Sequence, residues 1–245
     1  MNKVLSILLV AALAFTVKAQ ELNKTQISKK MQEVTPFEVQ EVNDDSTGLY
    51  EIVTDKGIFY ATKDGKNLIS GRVYEFEGGM ANKTQSRISE LAVSKIEKLK
   101  DSFVTFKAPN EKHEVLVFFD VNCGYCRKMH NELSQYNAAG ITVHYVLYPR
   151  NGIKDPRTGN TQFSNTYLTM QDIACSPNPN ISLDMVMRSN ELPTARCENQ
   201  VAENYALGEW LGVRGTPAVY GMDGKQVVGG YAPTNKLLAV LERAK

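Results

Sequence analysis

Hydrophobic and polar residues follow two different patterns along the chain. Over residues 35–78, short apolar and aromatic clusters are separated by turn signals, among them Asp-Lys-Gly at 55–57 and Asp-Gly at 64–65. Asp-Gly pairs are typical of two-residue hairpin turns because both positions tolerate positive φ. The pattern predicts a small β-sheet, preceded by a short helix over about 22–33. So small a unit buries little surface and leaves sheet edges exposed. We therefore expect it either to pair with a second copy or to pack on the rest of its own chain.

A helical pattern follows over residues 83–100. Apolar residues recur there at helical spacing against a charged face, and the segment contains neither Gly nor Pro. Asn82 and Gln85 have the spacing of a capping pair at its start. A helix of about 18 residues spans roughly 27 Å. It is interpreted either as a rigid spacer between two modules or as an ordinary surface helix.

From residue 114 onward the pattern becomes that of an α/β domain. A continuous apolar run, a helical segment and a second apolar run predict a strand–helix–strand unit, the usual parallel crossover. The remaining sequence is mostly helical in pattern until two short strands and a final helix. The predicted elements are strand 115–119, helix 127–136, strand 141–147, helical region 155–211, strand 218–220, strand 226–228 and helix 234–244.

The first residues of the chain indicate whether the protein is exported, and its charge indicates whether it binds nucleic acid. Lys3 is followed by an uncharged apolar run over 4–17 and small residues over 17–19. This is typical of a secretory signal peptide, and the run is shorter than the about 20 apolar residues that a membrane span needs. We expect a mature, exported protein that begins near Gln20. The formal net charge of +1, with both signs interspersed, predicts no nucleic-acid partner.

All four cysteines lie in the second half, at 123, 126, 175 and 197. The stretch DVNCGYCRKMH lies between a predicted strand and a predicted helix, which places Cys123 near the helix N-terminus. Backbone N–H groups and the helix dipole there favour a thiolate. Cys126, one turn further in, would resolve the mixed disulfide that Cys123 forms. Two alternatives are a zinc site that includes His130, for which a fourth ligand is missing, and a purely structural disulfide.

Gly-Thr-Pro at 215–217 helps to decide whether the cysteines form a redox dithiol, a zinc site or a structural disulfide. It precedes the strand predicted at 218–220, at the position where a thioredoxin-like fold has a cis-proline loop beside the cysteines. A Thr-Pro pair alone says little. Together with a cysteine pair in a strand–helix–strand unit it favours a redox dithiol.

These motifs resemble the periplasmic protein disulfide isomerases of the DsbC type. The related DsbG-type chaperone-isomerases typically carry proline after the first cysteine, where this chain has Gly124. The stretches that carry the resemblance are GIFYATKDGKNLISG, FKAPNEKHEVLVFFDVNCGYCRKMH, YNAAGITVHYVLYPR and NYALGEWLGVRGTPAV.

The resemblance implies an α/β thioredoxin-like catalytic domain and a small N-terminal α+β dimerisation domain, joined by a linker helix. The expected boundaries are 1–19 for the signal peptide, 20–80 for the dimerisation domain, 81–108 for the linker helix and hinge, and 109–245 for the catalytic domain with a helical insertion at about 155–211.

The resemblance also implies roles for single residues. Cys123 is expected to be the nucleophile and Cys126 the resolving cysteine. Gly124, Tyr125, Thr216 and Pro217 are expected to face the substrate, and Cys175 and Cys197 to form a structural disulfide. Gly71 is expected in the strand used for dimer pairing, where a bulky side chain should interfere.

The sequence departs at one position from thioredoxins proper, which have a buried aspartate six positions before the first cysteine. This chain has Val117 there. The proton acceptor for Cys126 is therefore open, with Asp120 as a candidate.

The function implied is that of a disulfide isomerase with chaperone activity that acts in the periplasm on misfolded or mis-oxidised exported proteins. It would work as a homodimer, without metal or bound cofactor, and a membrane thiol reductase of the DsbD type would keep its dithiol reduced. Two rival functions remain. One is a dithiol oxidase, expected to be a monomer, and the other is a holdase chaperone with incidental cysteines.

Overall fold

The computed structural model of the protein describes residues 21–77, 79–188 and 192–243. These residues form two compact units, one of residues 21–54 and 59–70 and one of residues 55–58 and 71–243. The predicted signal peptide at 1–19 lies outside the described residues. Within the described ranges, no helix has the length and apolar character needed to cross a membrane.

The first unit is one helix on a four-stranded sheet with strand order β1-β2-β3-β4. Its elements are α1 (Lys24–Val34), β1 (Val39–Asp44), β2 (Leu49–Thr54), β4 (Leu68–Ile69) and, from residue 59 onward, β3 (Gly57–Thr62). A capping box formed by Asn23 and Gln26 starts the predicted helix. Ile27 and Met31 of this helix lie buried in one apolar cluster with sheet residues such as Ile52. The predicted small α+β unit is therefore present.

The second unit contains a five-stranded sheet of order β11-β10-β8-β9-β7 and a separate two-stranded ribbon of β5 and β6. Its elements are β5 (Tyr74–Glu75), β6 (Ala81–Asn82), α2 (Lys83–Leu99), β7 (Val104–Phe106), β8 (His113–Phe119), α3 (Gly124–Asn131), α4 (Leu133–Ala138), β9 (Ile141–Leu147), α5 (Asn165–Ala174), α6 (Pro179–Met187), α7 (Val201–Leu211), β10 (Ala218–Tyr220), β11 (Gln226–Val228) and α8 (Thr234–Arg243).

Strand β8 is the centre of the five-stranded sheet, and all its residues from Val115 to Phe119 are fully buried. Such a continuous apolar run is typical of a strand covered on both faces. Val117 and Phe119 belong to one buried cluster and Leu116 and Phe118 to another. β8 and β9 are parallel, which confirms the predicted crossover unit.

The crossover differs from the prediction in its helix. One helix over 127–136 was expected, but α3 already begins at Gly124, and Glu132 separates it from α4. Glu132 has φ −97° and ψ 6°, outside the helical region, and its N–H bonds to the carbonyl oxygens of Met129 and His130. A local cap thus breaks the helix where the residue pattern contains no Gly or Pro.

Helix α2 packs into the second unit. Ala92 and Ile96 lie in the same buried cluster as Phe118 of β8 and Trp210 of α7. The predicted cap is confirmed, since the Asn82 side chain accepts a hydrogen bond of 2.9 Å from the Gln85 N–H. The helix is therefore a surface helix of this unit, and its role as a spacer stays a prediction.

The ribbon of β5 and β6 also belongs to the second unit. The N–H of Lys83 donates to the carbonyl of Val73, and the N–H of Val73 donates to the Thr84 hydroxyl, which ties the ribbon to the start of α2. The expected boundary at residue 80 lies between the two strands of this ribbon.

The helical insertion contains α5, α6 and α7. The three helices confirm part of the predicted helical region. Residues 159–164 and 192–200 are not helical, and these segments contain Gly159 and Pro193, which disfavour a helix. Cys175 and Cys197 form a disulfide with a Cα–Cα distance of 5.6 Å. This is the pairing that the resemblance implies.

Candidate active site

Cys123 lies at the junction between β8 and α3. It is the N-cap residue of α3, and its carbonyl oxygen accepts a hydrogen bond of 3.0 Å from the N–H of Arg127. Its own N–H donates to the carbonyl of Asp120 at 3.0 Å, which closes the turn after the strand. The first turn of α3 therefore directs its free N–H groups toward Cys123, as the sequence predicts.

The Gly-Thr-Pro segment lies directly against this cysteine. β10 is antiparallel to β8, with Ala218 opposite Phe118, so the residues before β10 reach the end of β8 where the cysteine loop begins. The Thr216–Pro217 peptide bond is cis. Cys123 Sγ lies 3.1 Å from the carbonyl oxygen of Thr216, to which the thiol donates. Gly124, Tyr125, Thr216 and Pro217 are thus brought together with both cysteines.

The two cysteines have opposite acid–base properties. Burial raises the pKa of Cys123, but the Thr216 side chain, the Cys126 N–H and thiol and the Tyr125 N–H stabilise the thiolate and outweigh burial, so this pKa is lowered overall. Burial dominates at Cys126 and raises its pKa far above the usual range. Both thiols are free. Near neutral pH, Cys123 is therefore the more reactive thiol and Cys126 is protonated.

Asp120, the candidate proton acceptor for Cys126, makes hydrogen bonds of its own, and its part as acceptor stays a prediction. Its buried carboxylate accepts hydrogen bonds from the N–H of Asn122 at 2.7 Å and from the N–H of Arg150 at 3.0 Å. The guanidinium of Arg150 lies 3.7 Å from the same carboxylate. Asp120 therefore holds the loop that leads to Cys123.

His130 lies one turn after Cys126 on α3. Its Nε2 atom is 2.6 Å from Asp184 Oδ1, and its ring packs edge-on against Phe106 and Phe119. Among residues 21–77, 79–188 and 192–243, no three His, Cys, Asp or Glu side chains are grouped as metal ligands would be. His130 is thus paired with a carboxylate rather than grouped with the two cysteines in a metal site.

Aromatic side chains line the surface beside the cysteines. Tyr125 is 63% exposed and stacks on Tyr231 at 6.2 Å between ring centroids. The Lys128 ammonium lies 4.6 Å from the centre of the Tyr231 ring, and the Tyr231 hydroxyl donates to Glu132. Tyr231 could not be identified from the sequence because it lies in the loop between β11 and α8, where no local motif marks it.

Two sets of predicted residues lie elsewhere. The Cys175–Cys197 disulfide joins the end of α5 to the segment before α7. Gly71 lies in a bend two residues after β4 rather than in a strand, and a Cβ added there would meet no atom within 4 Å in this chain. Its assignment to a strand is therefore not seen in the single chain, and its part in dimer pairing stays a prediction.

Cysteines at the end of a central strand and the start of a helix, facing a cis-proline loop, define the class of thioredoxin-like thiol–disulfide oxidoreductases. A family model described as a thioredoxin-like domain matches residues 99–245. A second model, described as the N-terminal domain of disulfide bond isomerase proteins, matches residues 16–85. The chain belongs to the DsbC family of thiol:disulfide interchange proteins.

Two DsbC relatives agree with this assignment. The chain is 37% identical to the thiol:disulfide interchange protein DsbC of Dickeya dadantii over 81% of this chain and 78% of the relative. It is 31% identical to DsbC of Pasteurella multocida over 98% of this chain and 99% of the relative. Among solved structures, a disulfide interchange protein from Neisseria gonorrhoeae is 26% identical, with a TM-score of 0.48, over 58% of this chain and 95% of that one.

Proposed function

We infer that the protein is a disulfide isomerase that attacks incorrect disulfides with Cys123. The observation that carries this conclusion is the asymmetry of the dithiol. Both cysteines are buried, but Cys123 lies at a helix N-terminus and has a lowered pKa, whereas burial dominates at Cys126 and raises its pKa.

The reaction begins when the Cys123 thiolate attacks one sulfur of a substrate disulfide. That S–S bond breaks, the displaced substrate sulfur leaves as a thiolate and takes a proton from solvent, and a mixed disulfide with Cys123 forms. A second substrate thiolate can then attack the mixed disulfide and restore the Cys123 thiolate. The substrate disulfide has then been rearranged with no net oxidation.

Cys126 provides the alternative end of the reaction. After losing its proton it attacks Cys123 Sγ, which forms the Cys123–Cys126 disulfide and releases the substrate as a thiolate. Because the pKa of Cys126 is raised, its thiolate is rare at neutral pH. This gives the substrate time to rearrange before it is released in reduced form.

The substrate surface that we propose consists of Gly124, Tyr125, Thr216 and Pro217. Tyr125 is exposed on α3, and the Thr216 carbonyl already lies beside the attacking sulfur. The dithiol itself carries the two electrons, so the proposal needs no bound cofactor.

The proposal extends to location and partners. The signal-like segment at 1–19 and the family assignment support a periplasmic isomerase with chaperone activity toward misfolded or mis-oxidised exported proteins, reduced by a DsbD-type membrane reductase. The match to the N-terminal domain of disulfide bond isomerases supports a homodimer. β4 is an edge of the four-stranded sheet, and its Leu68 and Ile69 side chains are exposed, which fits pairing with a second copy.

The test is isomerisation of scrambled ribonuclease by the mature protein. Cys123→Ala is expected to abolish the activity while suppression of aggregation persists, and Cys126→Ala is expected to retain part of the isomerase activity. Full activity of Cys123→Ala would contradict the proposal. A dithiol that is mostly oxidised in cells would favour an oxidase instead, and unchanged biological activity of Cys123→Ala would favour a holdase.

A further inference from the structure

The loop that follows β11 lies at the same end of the sheet as the cysteines. β10 and β11 are antiparallel, with Val228 opposite Val219, so the residues after Val228 lie beside the residues that precede β10. The residues that precede β10 form the cis-proline segment against Cys123. Loop 229–233 is therefore a third segment at this end of the sheet, beside the cysteine loop and the cis-proline segment.

Tyr231 of this loop contacts the tyrosine that lies between the two cysteines. Its ring stacks on the ring of Tyr125, with an angle of 24° between the ring planes. Tyr231 is half-buried because it also packs on the buried cluster that contains Cys123 and Cys126, whereas Tyr125 is mostly exposed. Tyr125 and Tyr231, the tyrosine pair, therefore form one partly exposed aromatic surface two residues from the attacking cysteine.

Hydrogen bonds from two hydroxyls hold the loop and its ring in place. The Tyr231 hydroxyl lies 2.8 and 2.7 Å from the two carboxylate oxygens of Glu132, the residue that separates α3 from α4. One residue further along, the carbonyl of Ala232 accepts a hydrogen bond of 2.6 Å from the hydroxyl of the buried Tyr136. A ring that is already held in place binds a partner with little further loss of side-chain entropy.

The charged groups that contact Tyr231 are already engaged. Glu132 accepts a hydrogen bond from the Tyr231 hydroxyl, and the Lys128 ammonium lies 4.6 Å from the centre of the Tyr231 ring, which is within the range of a cation–π contact. The tyrosine pair therefore offers aromatic ring surface rather than a free charge. Such a surface stabilises an apolar side chain by removing it from water.

The position of the tyrosine pair determines which part of a substrate it can contact. When a substrate cysteine is bonded to Cys123, the Cα atoms of its two neighbours lie only about 3.8 Å from its own. The residue next to the substrate cysteine is therefore the one best placed to reach Tyr125. In a misfolded protein, apolar residues that the native fold would bury are exposed in such segments.

We propose that the tyrosine pair binds an apolar or aromatic side chain next to the substrate cysteine, and that Tyr231 thereby gives Cys123 a preference for exposed core segments of misfolded proteins. Tyr231 is a specificity-determining residue, and its hydrogen bond to Glu132 holds the ring against Tyr125. This inference rests on the proposed thiol–disulfide exchange.

Two blocked peptides test this preference, acetyl-Ala-Cys-Phe-amide and acetyl-Ala-Cys-Gly-amide, each with thionitrobenzoate attached to its cysteine by a disulfide. The Cys123 thiolate attacks the peptide sulfur, the S–S bond to thionitrobenzoate breaks, and thionitrobenzoate leaves as a coloured thiolate that stopped flow records. Each rate is divided by the rate of the same peptide with glutathione, which removes the reactivity of the peptide itself. The wild type should then react about 5-fold faster with the Phe peptide than with the Gly peptide, the factor expected for one aromatic contact.

Tyr231→Ala should abolish this preference. Because the ratio compares two peptides on the same protein, any change in the acidity of Cys123 cancels. The matched control is Tyr205→Ala, which removes one ring of another stacked pair, formed by Tyr148 and Tyr205 at the other buried cluster. The control should keep the preference of the wild type, and loss of the preference in the control as well would overturn the inference.

If Tyr231→Ala does not fold, a nuclear Overhauser measurement replaces it. Cys126→Ala traps the Phe peptide as a mixed disulfide with Cys123, and cross-peaks between the Phe ring and the Tyr231 ring are expected. Absence of these cross-peaks, an unchanged preference in Tyr231→Ala, or equal rates of the wild type with both peptides would overturn the inference. If the wild type reacts with neither peptide, the proposed function itself fails, so the two failures are distinguishable.

Discussion

The disulfide between Cys175 and Cys197 allows a prediction whose magnitude follows from the structure. It links two cysteines 22 positions apart and closes the segment that contains α6 and residues 192–196. Removing the link in Cys175→Ser/Cys197→Ser restores the loop entropy of the unfolded chain. For about 22 residues the chain-entropy relation corresponds to about 11 cal/mol/K, or about 3 kcal/mol at 25 °C.

The assay is urea unfolding of the mature protein, followed by fluorescence of Trp210. Trp210 is the single tryptophan of the chain and is buried in the second unit, so it reports the unfolding of the unit that holds the disulfide. The double variant should lose about 3 kcal/mol of unfolding free energy and keep the reactivity of Cys123. Ser176→Ala, which leaves the link in place, is the control and should lose less than about 1.5 kcal/mol. A loss below about 1 kcal/mol in the double variant would refute the reasoning.

Two further substitutions test the packing and the loop around the site. A Cβ on Gly208 would lie 2.5 Å from a ring carbon of Tyr148, so Gly208→Ala should cost about 1–3 kcal/mol in urea unfolding despite its better helix propensity, and equal or higher stability would contradict this packing. Asp120→Ala removes the acceptor for the N–H groups of Asn122 and Arg150. It should cost about 1–3 kcal/mol and slow the attack by Cys123, and an unchanged attack rate would mean that Asp120 does not hold this loop.

Much of the second unit could be predicted from local pattern. The strands at 141–147, 218–220 and 226–228 have the predicted bounds because buried strands between turns appear as short apolar runs. The helix over 83–99 was predictable because its apolar face repeats at helical spacing. The start of α3 at Gly124 was predicted only roughly because a cysteine cap has no sequence signature of its own.

The arrangement around Cys126 could not be predicted in the same way. His130, Tyr145 and Asp184 lie on α3, β9 and α6, and no local pattern indicates that these elements meet. The same applies to Tyr231 on the surface of the site. The cysteine pair was identifiable because its two members share one helical turn, whereas the packing around Cys126 depends on contacts between distant parts of the chain.

The central claim is that the two cysteines differ in their ionisation. Its most direct test is the pH dependence of alkylation of the reduced protein by iodoacetamide, with each cysteine quantified by mass spectrometry. Cys123 is expected to react with an apparent pKa below the about 8.5 of a free thiol, and Cys126 to remain unmodified up to at least that pH. Equal reactivity of both cysteines, or a Cys123 pKa at or above that of a free thiol, would contradict the account.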